Sequence, residues 1–338
     1  MLRGAVGRAG RALALLCLVS LVACTMAGDP LYAPSTLRRA LIERLPDVPP
    51  EEIVVPFEVP PAAVARARAR LVGVRDPHAR ARALVDALSD PDAFGLAYLW
   101  AVNNSALRTL EGSGGNCLGL SSLLVGLARS VGLAAYYVDV SRNPEHREED
   151  YVNVAAGHIA VVVVAPQGPL FVDFTGEIQR GYRHRRIGDL EAAAHYYNNR
   201  GYELIHRAQQ AHSGVDWEDV WRQFARATRV APDLATAWNN LGVASARLGR
   251  LDQAERSYQR AIDLDPALGS ARQNLRNLAA DAEREPRLTH ADIPEQDSRQ
   301  SAPIAPRVSS PPPGDPRPSG PLAAPEARPA VGGALTAP

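Results

Sequence analysis

Lysine is missing from all 338 residues, so the 37 positions counted as Lys+Arg are arginine throughout. The absence fits an Ala/Arg-biased composition more than a function, but it excludes one reaction: the chain has no lysine through which it could be crosslinked to itself. An excess of one charge is missing too. Lys+Arg 37 against Asp+Glu 37 gives a formal net charge of +0, which removes the electrostatic case for a nucleic-acid partner. Beyond the first residues, no apolar run is long enough to cross a bilayer. His and Cys pairs at ligand spacing are lacking, so no metal or other cofactor is expected. Cysteine is scarce, and Cys17, Cys24 and Cys117 have different expected fates.

The N-terminus explains two of the three. Arg3, Arg8 and Arg11 precede an uncharged apolar run from Ala12 to Ala23, a basic region followed by a segment too short for a stable span. The run closes Leu21-Val22-Ala23-Cys24, which resembles the bacterial lipobox. Residues 1–23 then form a signal peptide that carries Cys17 away, and Cys24 becomes the acylated first residue. Several acyl chains on one cysteine hold a protein on a membrane far better than one chain does. Thr25 follows rather than Asp, which points to the outer membrane of a bacterial cell envelope, facing the periplasm. In that oxidising compartment Cys117 is a solitary thiol without a partner to oxidise with.

Along the remainder, composition changes mark the segments. Residues 24–61 are punctuated by Pro46, Pro49, Pro50, Pro56, Pro60 and Pro61 and read as an extended tether. Residues 62–200 read as one α+β domain. Helices are predicted over 62–88, broken near Asp76-Pro77, and over 94–110, where Leu96, Leu99, Trp100, Ala106 and Leu107 form an apolar face. A Gly-rich loop, Gly112-Ser-Gly-Gly-Asn-Cys117, leads into an apolar helix ending at Gly132. Strands are predicted at 134–140, 158–165 and 170–174, the last two turning at Pro166-Gln-Gly-Pro169. Helices would cover one face of an antiparallel sheet. Tyr136 and Tyr137 fall on opposite faces, so one of them belongs in the core.

The third region repeats. Phe224, Ala227 and Pro232 recur as Tyr258, Ala261 and Pro266, each 34 residues on. Trp238, Leu241, Gly242, Ala254, Tyr258, Ala261 and Pro266 stand at the offsets of the tetratricopeptide pattern, which makes residues 201–282 an all-α stack of helical hairpins with a capping helix from 269. In the first copy, Leu204 and Ala208 occupy the Trp and Gly positions at that period. Two repeats are too few to bury a core alone, so they should pack on the preceding domain and leave one concave surface open. Residues 283–338 are rich in Pro, Ser, Ala and Gly and read as a disordered tail.

Chemistry concentrates at Cys117. At the first turn of a helix, unpaired N–H groups and the macrodipole stabilise negative charge. Gly112, Gly114 and Gly115 would let a substrate backbone approach, and the Cys117 amide would face a developing oxyanion. A thiolate needs a proton carrier. His158 opens one strand and Asp173 lies 15 residues later on its hairpin partner, where it would fix the imidazole tautomer. His146, His184 and His195 have no comparable setting. Glu148, Glu149 and Asp150 read as a solvated loop face.

Gly115 to Leu133, then Gly157-His158, then Val172-Asp173 resemble the transglutaminase-like superfamily, a papain-related Cys-His-Asp fold. The resemblance implies Cys117 as nucleophile, His158 as general base and acid, and Asp173 as the orienting carboxylate. Tyr196-Tyr-Asn-Asn-Arg-Gly201 running into tetratricopeptide repeats resembles bacterial lipoproteins that join the two domains. Asn116 and Leu118 flank the cysteine where relatives often carry an aromatic residue or Arg, so the second oxyanion donor is unassigned. Trp100, Asn103 and Asn104 are candidates, with packing or capping as the alternative. The expected activity is acyl transfer on a protein or peptide substrate through a Cys thioester, resolved by water or an amine, with the repeats recruiting a protein partner. The alternative is an inactive, membrane-tethered scaffold acting through its repeats in envelope assembly.

Overall fold

The computed structural model describes residues 31–99, 102–140, 158–175 and 184–288. The signal segment, Cys24, Trp100, His146, the acidic stretch at 148–150 and the tail beyond 288 lie outside them.

The proline-punctuated segment is not a tether. Helix α1 spans Pro34–Arg44 and places Leu37, Leu41 and Leu45 on one stripe, each fully buried. Val48, Ile53, Val55 and Phe57 continue into the same core. The prolines bend this strap around the domain instead of extending it. Pro56 O accepts from Ala106 N–H at 2.7 Å, and Arg38 donates to Ile53 O at 2.7 Å.

Helices α2 (Pro61–Arg70) and α3 (Pro77–Ser89) break where Asp76-Pro77 predicts, with the Asp76 carboxylate capping Ala79 N–H. The helix predicted over 94–110 survives only as α4 (Ala106–Glu111). Before it, Gly95 turns at φ +58°. Strand β1 (Ala97–Tyr98) then pairs in parallel with β2 (Gly114–Gly115). The apolar spacing at 96, 99 and 100 suits a helix, but Ser105 caps α4 with its side chain and fixes a later start.

Helix α5 (Cys117–Ser130) is the central element, with Leu118, Leu120, Leu123, Leu124, Val125 and Leu127 all fully buried. It stops at Gly132, φ +83°, where Leu133 N–H bonds Ala128 O at 2.9 Å. Gly126 lets it lie directly on the strap, because an added Cβ would stand 2.2 Å from Phe57 O. Strands β3 (Ala135–Asp139), β4 (Ile159–Val163), β5 (Leu170–Val172) and β6 (Arg185–Ile187) form an antiparallel sheet ordered β5-β4-β3-β6. Tyr137 is the core tyrosine, its hydroxyl 3.2 Å from Ser122 Oγ, while half-buried Tyr136 lies under the Arg186 guanidinium. Strand β6 went unread in the sequence because two of its three residues are exposed arginines.

The expected domain boundary at residue 200 falls inside a helix. Helix α6 (Asp189–Gln210) places Ala192, Ala193, Ala194 and Tyr197 in the α/β core and Ile205 in a second core with Val220 and Phe224. Its first turn is tied down by a buried ion pair: Arg129 bonds both oxygens of Asp189 at 2.7 and 2.8 Å, and Tyr32 N–H adds a third bond at 2.8 Å. Helices α7 (Trp217–Val230), α8 (Ala235–Arg247), α9 (Leu251–Leu264) and α10 (Gly269–Leu288) complete two hairpins and a cap. The cap passes its expected end at 282 by six residues.

The first repeat keeps the tetratricopeptide packing in a different register. Gly242 makes room for the Tyr258 ring, 2.5 Å from a would-be Cβ, and Gly201 makes the same room for Phe224, at 2.6 Å. Gly201, not Ala208, is therefore the equivalent of Gly242. The 34-residue period fails here because α6 runs nine residues beyond Gly201 where α8 runs five beyond Gly242, and the first hairpin turns through residues 211–216 against 248–250 for the second.

Candidate active site

Cys117 is the first residue of α5. Asn116 caps that helix, its Oδ1 accepting from Gly119 N–H at 3.0 Å, while its own N–H bonds Val102 O at 2.9 Å. The glycines ahead of the thiol serve packing, not substrate access. An added Cβ would lie 2.4 Å from Ala97 O at Gly114, and 3.0 Å from Thr109 Oγ1 at Gly115. Gly119 continues the theme, with Thr109 Oγ1 at 2.8 Å. The Gly-rich stretch contains the buried strand β2, which pairs with the half-buried β1 and sets the helix start against α4. Ser113, at φ +56°, makes the turn into it.

The sheet presents the partners. His158 immediately precedes β4 and Asp173 immediately follows β5, and the β4–β5 register sets Val161 opposite Val172. His158 Nε2 lies 2.8 Å from Asp173 Oδ1. Cys117 lies near enough to the same imidazole to raise its proton affinity. With Nε2 taken by the carboxylate, Nδ1 is the ring nitrogen left for sulfur. Ser121 Oγ donates to Ile159 O at 3.3 Å, stitching the first turns of α5 to β4 beside the histidine. Cys117 is buried, with 9 % of its surface left exposed.

Electrostatics favour a charged pair. Burial alone would push the His158 value down, but hydrogen bonds and charge from Asp173 and Cys117 carry it up to about 9. Burial would raise the Asp173 carboxyl, but bonds from His158 and Thr175 hold it down at about 2. At neutral pH the imidazole holds its proton between a carboxylate and a sulfur.

Of the sequence candidates, Cys117, His158 and Asp173 come together. Asn103 and Asn104 do not lie on a helix, and each commits an amide N–H to a backbone carbonyl, Asn103 to Tyr196 O and Asn104 to Gly114 O, both at 3.0 Å. These bonds give both side chains a packing role, and each amide has a second N–H beside the one committed. Trp100 is outside the described residues. His184 sits at the start of β6, edge-on to Phe171. His195 is buried on α6 with neither ring nitrogen hydrogen-bonded. Sequence reading missed Thr175, whose hydroxyl lies 2.9 Å from each Asp173 oxygen. Its only signal was a hydroxyl residue two positions beyond a proposed catalytic carboxylate.

Comparison with known families agrees with this layout. Residues 65–173 match the model described as the Transglutaminase-like superfamily, and residues 235–268 match that of the Tetratricopeptide repeat. The chain carries a transglutaminase-like domain followed by a tetratricopeptide repeat. The transglutaminase-like match spans Cys117, His158 and Asp173; the repeat match coincides with α8, α9 and the turn that follows. No curated protein matches the chain.

Proposed function

We propose that the transglutaminase-like domain is a thiol acyl-transfer enzyme acting on amide bonds of a protein or peptide. The observation that carries this reading is the alignment of Cys117, His158 and Asp173 at the start of α5, with Nε2 to Oδ1 at 2.8 Å. The Cys117 thiolate attacks the carbonyl carbon, and the oxygen takes the negative charge beside the unpaired N–H groups of the first helical turn. Collapse of the tetrahedral species breaks the C–N bond. His158 gives its proton to the departing amine, leaving a thioester on sulfur. Water, deprotonated by His158, then attacks the thioester and releases the acid and the thiol. An amine can take the place of water. Because the chain has no lysine, that amine must be supplied by another molecule or by a chain terminus. Water is the ubiquitous competitor, and hydrolysis is the favoured outcome.

The repeats recruit a protein partner in this reading, as tetratricopeptide repeats generally do. The N-terminal Leu21-Val22-Ala23-Cys24 supports lipid anchorage at Cys24 and placement at a bacterial envelope membrane, facing the periplasm. Incorporation of labelled palmitate that is lost in Cys24→Ala checks the anchor.

Iodoacetamide titration tests the enzyme. Free thiols lose reactivity below a pKa of about 8.5. Alkylation of Cys117 that persists at pH 6 and requires His158 is the expected result. A profile indistinguishable from a free thiol, unchanged in His158→Ala, would replace this reading with a tethered scaffold.

A further inference from the structure

The strap of residues after β5 does more than end a strand. Asp173 is followed by Phe174, which is buried in the main core, and by Thr175, which folds back onto the carboxylate. Thr175 N–H bonds Asp173 Oδ1 at 3.1 Å. Its Oγ1 stands 2.9 Å from Oδ1, 2.9 Å from Oδ2 and 3.4 Å from His158 Nε2. A carboxylate can only accept, so the hydroxyl proton goes to Asp173. The hydroxyl lone pairs are then what faces the imidazole.

We infer that Thr175 is the positioning residue of the site, holding the Asp173 carboxylate in the plane of the His158 ring and keeping the hydrogen on Nε2. The inference rests on the reading of Cys117 as nucleophile and deepens it. Two acceptors, Asp173 Oδ1 and Thr175 Oγ1, converge on Nε2. Whichever side of the sulfur–nitrogen contact the other proton occupies, Nε2 keeps its own, so Nδ1 is the nitrogen that exchanges a proton with Cys117. Without the hydroxyl the carboxylate retains the bonds from Thr175 N–H and His158 but loses both Oγ1 contacts, which resist its rotation about Cβ–Cγ. The tautomer is then less firmly fixed. The role is indirect: Thr175 acts on Asp173 and His158 and needs no contact with substrate.

Thr175→Val keeps the shape and the backbone N–H and deletes the hydroxyl; Thr175→Ser restores it. In the full-length protein, the alkylation rate of Cys117 at pH 6 is expected to fall about tenfold in Thr175→Val, the size of one hydrogen bond to a charged group, and to return in Thr175→Ser. The ¹⁵N-detected Nε2–H resonance of His158 should be sharp in the parent and in Thr175→Ser, and broadened or lost in Thr175→Val. Circular dichroism confirms that each variant is folded. A Thr175→Val protein with the parent pH profile and an intact Nε2–H resonance overturns the inference while leaving the enzyme reading in place. Parent Cys117 that reacts as a free thiol removes the enzyme reading instead. In that case the Nε2–H resonance alone decides whether Thr175 holds the pair.

Discussion

The α/β layer and the repeat stack differ in the polar groups that tie one element to the next. In the α/β layer two charged pairs join separate elements, Arg129 with Asp189 and His158 with Asp173, among neutral buried groups such as Thr109, Ser121 and Ser122. In the stack a row of neutral amides is buried between helices, and the one carboxylate buried among the described residues of 201–282, Glu203, is paired within α6 to Arg200 and Arg207. Asn274 Nδ2 donates to Asn239 Oδ1 at 2.9 Å, Asn239 to Asn240 at 3.1 Å, Asn240 to Asn198 at 2.8 Å, and Asn198 to Asn199 at 3.5 Å. One chain of amides therefore crosses from α10 through α8 to α6. Between elements of the α/β layer, charge anchors a helix start at Asp189 and joins the ends of β4 and β5 at His158 and Asp173. Where like helices only need registering, a neutral amide suffices at far lower desolvation cost. Helix α6 is shared, with its charged end in one system and its amides in the other.

Arg129 tests the charged half most severely. Asp189 is fully buried and Arg129 supplies two of its bonds. Arg129→Met leaves an unpaired carboxylate inside and should cost about 3–5 kcal/mol in denaturant unfolding. Arg129→Met with Asp189→Leu removes both charges and should recover most of that loss. A double variant no more stable than the single would mean the packing of the arginine, over the Phe57 ring at 4.9 Å, matters more than its charge.

The glycines come next and compare backbone contact with ring contact. Gly126→Ala drives a methyl into Phe57 O, which cannot yield without moving the strap; about 3 kcal/mol is expected, the upper end for overpacking. Gly242→Ala and Gly201→Ala meet rings of Tyr258 and Phe224, which can shift, and should cost about 1–3 kcal/mol each. Similar losses at Gly201 and Gly242 would sharpen the equivalence of the two repeats. A neutral Gly201→Ala, measured by the same unfolding midpoint, would break it.

Much of this was legible in the residues, and the misses have physical causes. The helix at Cys117, the hairpin carrying His158 and Asp173 and the second repeat were readable because each rests on local signals: a cap, a β-branched run, a period. The strap at 34–60 was misread because proline marks a bend as readily as an extended linker, and only tertiary burial of Leu37, Leu41 and Leu45 separates the two. The segment at 94–105 misled because Leu96 and Leu99 sit at helical spacing while pairing of Ala97 with Gly114, a non-local contact, decides the outcome. Thr175 was invisible as a partner because its contacts to Asp173 depend on a turn, not on spacing.

Asn240→Leu probes the neutral half. It deletes the donor to Asn198 Oδ1, 2.8 Å away and buried between α8 and α6. The expected cost is about 1–3 kcal/mol, that of one buried acceptor left unmade. Asn274→Ala, at the cap end of the chain, should cost less because Asn274 lies at the end of the row and is slightly exposed. Equal losses at the two positions would contradict a row anchored at α6.

The last comparison is pH dependence, where two histidines of the α/β layer titrate in opposite directions. His158 is raised to about 9 in the folded protein from an ordinary 6.5. Between those values the native state holds the extra proton, so its contribution is complete below pH 6.5 and is lost as pH rises through 9. His195 is lowered by burial, against opposing pulls from Asp139 on β3 and Glu191 on α6, with Arg185 on β6 adding to the lowering. There the unfolded state takes the proton first, so stability is lost as pH falls below 6.5. Asp173, held at about 2 against 3.8, adds a loss only below pH 4. Melting temperatures from pH 5 to pH 9 should therefore show an acid-side decline that His195→Leu abolishes and an alkaline-side decline that His158→Gln abolishes. If His195→Leu keeps the acid-side decline between pH 5 and 6.5, that loss belongs to other groups and the two histidines do not divide the titration.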